Sequence, residues 1–177
     1  DGVDDSLSFS QGSLNIDGGP ITIAAIVRSS NWASAGVLTP MVVSHTNAGV
    51  SLWGMYAGGL SDGDLTYTGS LTAAAATGTN YLANNVWYLI AVTKADGTTT
   101  PRAHRYRFDT NAWDHQDMGG TVADQGAPGA SMTVRIGESA DAPDFGVLAG
   151  IEVAAVWGRV LTDAEVEEQA KEAVAAA

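Results

Sequence analysis

Hydrophobic and polar positions alternate with period 2 along most of this chain, and that period predicts strands. In DSLSFS, Leu7 and Phe9 share a face, with Ser6, Ser8 and Ser10 opposite. In ITIAAIVRSS, Ile21, Ile23, Ala25 and Val27 fall together and Ile26 falls on the other side. VSLWGMYA sets Val50, Leu52 and Tyr56 against Trp53 and Met55, and DLTYT pairs Leu65 with Tyr67. WYLIAVTK is apolar on both faces, as a central strand of a sandwich is. RAHRYRF puts Arg105 and Arg107 on one face and His104, Tyr106 and Phe108 on the other. MTVRIG and GIEVAAVW complete the set. Many short strands with little helix predict an all-β fold, an antiparallel sandwich or barrel.

Turn residues punctuate these runs. Ala95-Asp96-Gly97 predicts a hairpin between strands near 87–94 and 103–108. Asp109-Thr110-Asn111-Ala112 predicts a second one before Trp113. TAAAATGTN (72–80) reads as a loop or a short helix.

The period changes at the C-terminus. In VLTDAEVEEQAKEAVAAA, Thr162 reads as an N-cap and Glu165 completes a capping box, with Leu161 and Val166 as a hydrophobic staple. Asp163 and Glu165 complement the helix dipole. Val166, Ala170, Ala173 and Val174 form a thin apolar stripe, which predicts a helix lying on the sandwich edge.

Composition narrows the classes. The chain has 177 residues, one domain by length, with 45% hydrophobic and 16% charged residues. Its net charge of −12 argues against a nucleic-acid partner and against anionic membrane surfaces. It holds no cysteine, so neither disulfides nor thiolate chemistry enter. No apolar run reaches the length of a membrane span, which predicts no membrane insertion, and no signal-peptide pattern is present. A first residue of Asp1 rather than Met gives the expectation that 1–177 is one domain of a larger surface protein.

GIEVAAVWGRVLTDAEV (150–166) resembles the closing segment of laminin G-like domains of the concanavalin A-like lectin and glucanase superfamily. Gly150, Glu152, Trp157, Arg159, Leu161, Thr162 and Glu165 carry the likeness. DGVDDSLSF, ITIAAIVRSS, NNVWYLIAVTKADG (84–97) and MTVRIG resemble the family's other strands in the same order, although an aromatic often stands where Ile26 sits. The resemblance implies a jelly-roll sandwich of two antiparallel sheets with one short C-terminal α-helix. Members include lectins, protein-binding modules, glycosidases and virion surface domains, so fold leaves function open.

Catalytic chemistry finds little support in the residues. The glucanase strand motif Glu-x-Asp-x-Glu is absent; four of the six glutamates lie on the C-terminal helix, leaving Glu138 and Glu152. Glycosidase chemistry needs a close carboxylate pair, so an enzyme is not expected. His45, His104 and His115 are the only histidines, and no Gly-x-Ser-x-Gly elbow accompanies them. Asp62-Gly63-Asp64 and Asp141-Ala142-Pro143-Asp144 are oxygen-rich loops that raise calcium as a candidate, but Asp and Gly are also ordinary turn residues. No cofactor is expected.

The candidate ligand-binding residues are Trp113, Asp114, His115 and Asp117 in NAWDHQD (111–117), with Arg105, Arg107 and Trp32. An indole beside amides and carboxylates suits a sugar ring; the competing reading packs Trp113 inward and leaves a turn. Arg105 and Arg107 belong to a basic hairpin that also holds Lys94 and Arg102, suited to a carboxylated glycan or an acidic neighbouring subunit. Trp32, in a loop context, is expected to be exposed. Trp53, Trp87 and Trp157 are expected in strands as core. The expected function is a non-catalytic recognition module binding a glycan or a protein through sandwich-edge loops. The alternative is a structural virion or appendage domain, such as a phage decoration or tail module, held by neighbouring subunits or as a homo-oligomer. Either places it outside the cell, on a cell surface or on a virion.

Overall fold

The computed structural model describes residues 7–10, 20–32, 41–47, 50–57, 63–70, 73–124, 132–136 and 149–176. Among them the chain forms eleven strands and one helix. The strands are β1 (Leu7–Ser10), β2 (Ile21–Ser29), β3 (Met41–Asn47), β4 (Val50–Ala57), β5 (Leu65–Ser70), β6 (Ala73–Ala76), β7 (Tyr88–Lys94), β8 (Arg102–Arg107), β9 (Ala112–Asp117), β10 (Met132–Ile136) and β11 (Ala149–Trp157). Helix α1 spans Asp163–Ala176.

They build two antiparallel sheets, ordered β1-β10-β3-β4-β5-β6 and β11-β2-β7-β8-β9. The jelly-roll sandwich that the sequence predicts is the fold found. The alternation in β2 explains how it is held. Ile21, Ile23, Ala25 and Val27 enter the core between the sheets, where they meet Trp53, Met55, Leu65 and Tyr67 of the facing sheet. Ala24 and Ile26 point the other way and, with Leu89, Ala91 and Tyr106, form a second apolar layer. β7 feeds both layers, which is why it is buried along its whole length.

That second layer needs a cover, and α1 supplies it. Leu161, Val166 and Ala170 are buried there. The helix therefore lies over the outer face of the five-stranded sheet rather than on its edge. Its start is fixed by the expected capping box: Thr162 N donates to Glu165 Oε2 at 2.8 Å and Glu165 N to Thr162 Oγ1 at 3.3 Å. Thr22 Oγ1 ties the approach to the helix down, donating to Arg159 O and accepting from Leu161 N.

Two expectations change. Residues 73–76 are strand β6, neither loop nor helix, because they pair with β5 and Ala75 fills the main core. Trp87 precedes β7 rather than lying in it; it is half-buried against the outer layer, with Trp157. The side chains of Ala173 and Val174, the loop 141–144, Asp62 and Glu138 lie outside the described residues.

Candidate functional site

The β8–β9 hairpin carries most of the sequence candidates, and its pleat divides them. β9 pairs with β8 in the register Arg102↔Asp117, His104↔His115, Arg105↔Asp114 and Tyr106↔Trp113. Residues opposite one another share a face. Trp113, His115 and Asp117 therefore lie on the helix side with His104 and Arg102. Asp114 lies on the opposite face with Arg105 and Arg107. The seven-residue stretch is thus divided between the two faces of the sheet.

Its charged groups also have partners within the fold. Arg105 donates to Asp114 at 2.9 Å and to the carbonyl of Tyr81, with its guanidinium 4.3 Å from the centre of the Tyr81 ring. Burial pushes the Tyr81 hydroxyl above its ordinary range, against the opposing effect of Arg105. Arg107 is bidentate to Asp109, and Arg102 reaches Asp117 at 3.1 Å. Trp113 is half-buried against the outer apolar layer, its ring stacked on His104. Asn111 takes φ +51° at the turn, a conformation asparagine tolerates better than most side chains.

Beneath α1 lies an arrangement the sequence did not suggest. Thr93 Oγ1 is 3.1 Å from His104 Nε2, and His104 Nδ1 is 3.7 Å from Asp163 Oδ1. His115 Nε2 stands 3.6 Å from Asp163 Oδ2, and Arg102 Nε 3.2 Å from Oδ1. The order hydroxyl, imidazole, carboxylate is that of a nucleophilic triad. The Thr93 residue is only 5% exposed and His104 0%, so the hydroxyl faces the covered layer. Burial lowers the His104 pKa to about 4, more than Asp163 raises it.

Trp32 requires a correction. It is 1% exposed and part of the main core, with Nε1 donating to Ala83 O at 3.1 Å. An indole in a loop finds burial because that loop folds back on the segment before β7. The backbone around it borders a different feature, an open cleft of about 370 Å³ lined by Asn31, Trp32, Gly63, Asn80, Leu82, Ala83 and Asn84. Three loops meet there. Gly63 N donates to Trp32 O at 2.9 Å, Leu82 N to Gly63 O at 2.7 Å, and Trp32 N to Asn84 Oδ1 at 2.8 Å. Leu82 is buried, while Asn31, Asn80 and Asn84 are exposed, and none of the described residues lining the cleft is charged. The arrangement offers carboxamides above an apolar base, the composition of a site for a neutral polar ligand. Sequence reasoning missed it; the only signal was the run of asparagines at 80, 84 and 85, two of which have positive φ.

Of the calcium candidates, Asp62, Asp141 and Asp144 lie outside the described residues and Asp64 is buried; among the described residues no group of three His, Asp or Glu is placed to hold a metal ion. No helix among the described residues is long and apolar enough to cross a membrane.

No family model matches the sequence, and no curated protein matches it. Solved structures share its fold. The LG1-3 region of the laminin alpha2 chain superposes with a TM-score of 0.60 at 10% identity, over 88% of this chain and 31% of that one. Trypanosoma rangeli sialidase superposes with a TM-score of 0.54 at 15% identity, over 89% of this chain and 24% of that one. Its complex with the inhibitor DANA gives 0.53 at 16% identity, over 85% and 22%. The chain thus spans less than a third of the length of these proteins, and at such identities the likeness is one of fold. Its fold is the concanavalin A-like β-sandwich that laminin G-like domains share.

Proposed function

We propose that this chain is a non-catalytic recognition module that binds an uncharged glycan in the cleft between the Asn31, Gly63 and Asn80–Asn84 loops. The observation that carries the reading is the lining of that cleft: exposed carboxamides around the buried Leu82, with no ionised group among the described residues. Asparagine amides can both donate to and accept from sugar hydroxyls, and an apolar base suits the ring's C–H face. The non-catalytic part rests on the carboxylates and imidazoles of β8 and β9. Asp114 is paired with Arg105, Asp117 with Arg102, and His104 is covered by α1, so among the described residues no adjacent acid and base faces this cleft. A module of this kind works outside the cell, on a cell surface or a virion.

The structural alternative has one observation in its favour. Val153 is 53% exposed on β11, the edge strand of its sheet, where a neighbouring subunit would cover it.

Glycan-array binding of the purified chain separates the two, with Asn80→Gly and Trp113→Ala alongside. Asn80 has φ +61°, so glycine removes the amide without straining the backbone. Binding lost in Asn80→Gly at an unchanged melting temperature supports the cleft. Binding that survives Asn80→Gly but vanishes in Trp113→Ala, with no loss of stability, moves the site to β9. No glycan bound, together with a stable oligomer in light scattering, favours the structural reading.

A further inference from the structure

The junction between α1 and the β8–β9 hairpin does nothing for the cleft, yet it concentrates ionisable groups under a helix with a small footing. Among the described helix residues only Val166 and Ala170 are buried, joined by Leu161 just before the helix. The layer they cover is separate from the core between the sheets. Among the described residues, then, the helix takes no part in the core that closes the sandwich.

His104 sits under this cover. Its side chain is 0% exposed, and its Nδ1 is buried with no hydrogen-bond partner, 3.7 Å from Asp163 Oδ1. The groups that face it come from each neighbouring element. They are the Thr93 hydroxyl from β7, Arg102 from its own strand, and His115 and the stacked Trp113 from β9. From α1 comes Asp163 alone, whose carboxylate already serves Arg102 and stands close to His115. Asp117 is drawn to Arg102 from the outer side. A proton on His104 would thus be a charge without solvent, facing a carboxylate that other cations share. Lifting α1 lets water reach the imidazole and removes that cost.

We propose that the α1 junction is an acid-released latch: protonation of His104 undocks α1 from the five-stranded sheet and uncovers the apolar layer of Ala24, Ile26, Leu89, Ala91 and Tyr106, while the sandwich stays folded.

The sign follows from linkage. With α1 docked, His104 is neutral down to about pH 4. Once uncovered it returns toward the ordinary histidine value of about 6.5. The open form binds the proton more tightly, so docking weakens as pH falls through this window. Between pH 7 and pH 4 the docking equilibrium shifts toward the open form by about two orders of magnitude.

Amide hydrogen exchange of the whole chain tests this, corrected for intrinsic rates at pH 7 and pH 4.5. Protection in α1 is expected to fall at least about tenfold relative to β7 in the wild type and to stay level in His104→Gln, which keeps a polar partner for Thr93 but cannot charge. Equal loss in the variant, or loss of β7 protection in step with α1, overturns the latch. Proton NMR of His104 in the wild type gives a reading independent of any variant. Titration well below 6 supports the proposal, and titration at or above 6.5 defeats it.

Discussion

Trp113 lies stacked on His104, ring centroids 5.7 Å apart and planes 30° from parallel. One face of the indole is therefore taken by an imidazole that belongs to the covered layer, and the ring also packs against that layer. Removing it opens space beside His104 and under the start of α1. Trp113→Ala is expected to cost about 2 kcal/mol, below the usual figure for a fully buried Trp because this one is only partly buried. Trp113→Phe keeps an aromatic stack and should cost less than about 1 kcal/mol. Urea titrations of both variants measure this. An alanine variant as stable as the wild type would show that the ring braces nothing here and is available to a ligand.

Two groups at the start of α1 make its stability depend on pH, in the same direction but in different windows. His104 has its pKa lowered to about 4, chiefly by burial, so its contribution is present above about pH 6.5 and is lost as pH falls toward 4. The full loss is as much as about 3 kcal/mol. Glu165 has its pKa lowered to about 2, first by its hydrogen bond with Arg159 and then by the backbone N–H of Thr162. Its contribution is present above its ordinary value of 4.5 and declines from there toward pH 2. Circular dichroism melts across this range should show two descending limbs. His104→Gln should remove the upper limb and leave the lower one; Arg159→Ala should shrink the lower one alone. A single limb unaffected by either change would contradict this assignment.

The tip of the β7–β8 hairpin is held by a different ion pair. The Lys94 side chain is 0% exposed, and its ammonium donates to Ala95 O and Gly97 O at 2.9 Å each and to Asp124. Asp124 also accepts from Gly97 N at 2.6 Å. Its segment joins the two sheets, with Thr99 bridged to Val122 and Gly119 to Ala76. Asp124→Ala leaves a buried ammonium with carbonyl acceptors but no counter-charge, which is expected to cost about 3 kcal/mol. Lys94→Met removes the buried charge itself and leaves Asp124 able to reach water, so it should cost less. Denaturant unfolding of the two variants checks the order. Equal stability of Asp124→Ala and the wild type would mean that the pair holds nothing together.

The sheets were legible because side chains contrast along them. In β2, Ile21, Ile23, Ala25 and Val27 separate from Ala24 and Ile26 by position alone, and the two sets enter the two apolar layers found. β6 was not legible because Ala73–Ala76 carries no contrast between its faces. The capping box was legible because it is local, four residues reading each other. The cleft is the reverse case: Trp32, Gly63, Leu82 and Asn84 come together through hydrogen bonds between loops far apart in sequence. NAWDHQD is divided between two faces for a reason the sequence did contain. Period 2 in a strand sends Trp113 and Asp114 to opposite faces, however close they stand along the chain.

Gly63 is where the cleft is most exposed to a single change. Its φ is +66°, and a Cβ placed there would lie 2.5 Å from the carbonyl oxygen of Leu82. Two costs add: the left-handed backbone, and a collision with a backbone atom that cannot swing away. Gly97 separates them, because it has φ +78° but a Cβ added to it would meet nothing within 4 Å. Gly97→Ala should cost about 1 kcal/mol, and Gly97→Asn less, since asparagine tolerates positive φ. At Gly63 asparagine gives no such relief, and both Gly63→Ala and Gly63→Asn should cost about 3 kcal/mol. Thermal melts of the four variants test the pattern. The Gly63 variants should also lose glycan binding, because Leu82 and Trp32 are both held through this residue. A Gly63→Asn variant that melts with the wild type would show that the loops are not braced here, and the cleft would lose its claim to be a preformed site.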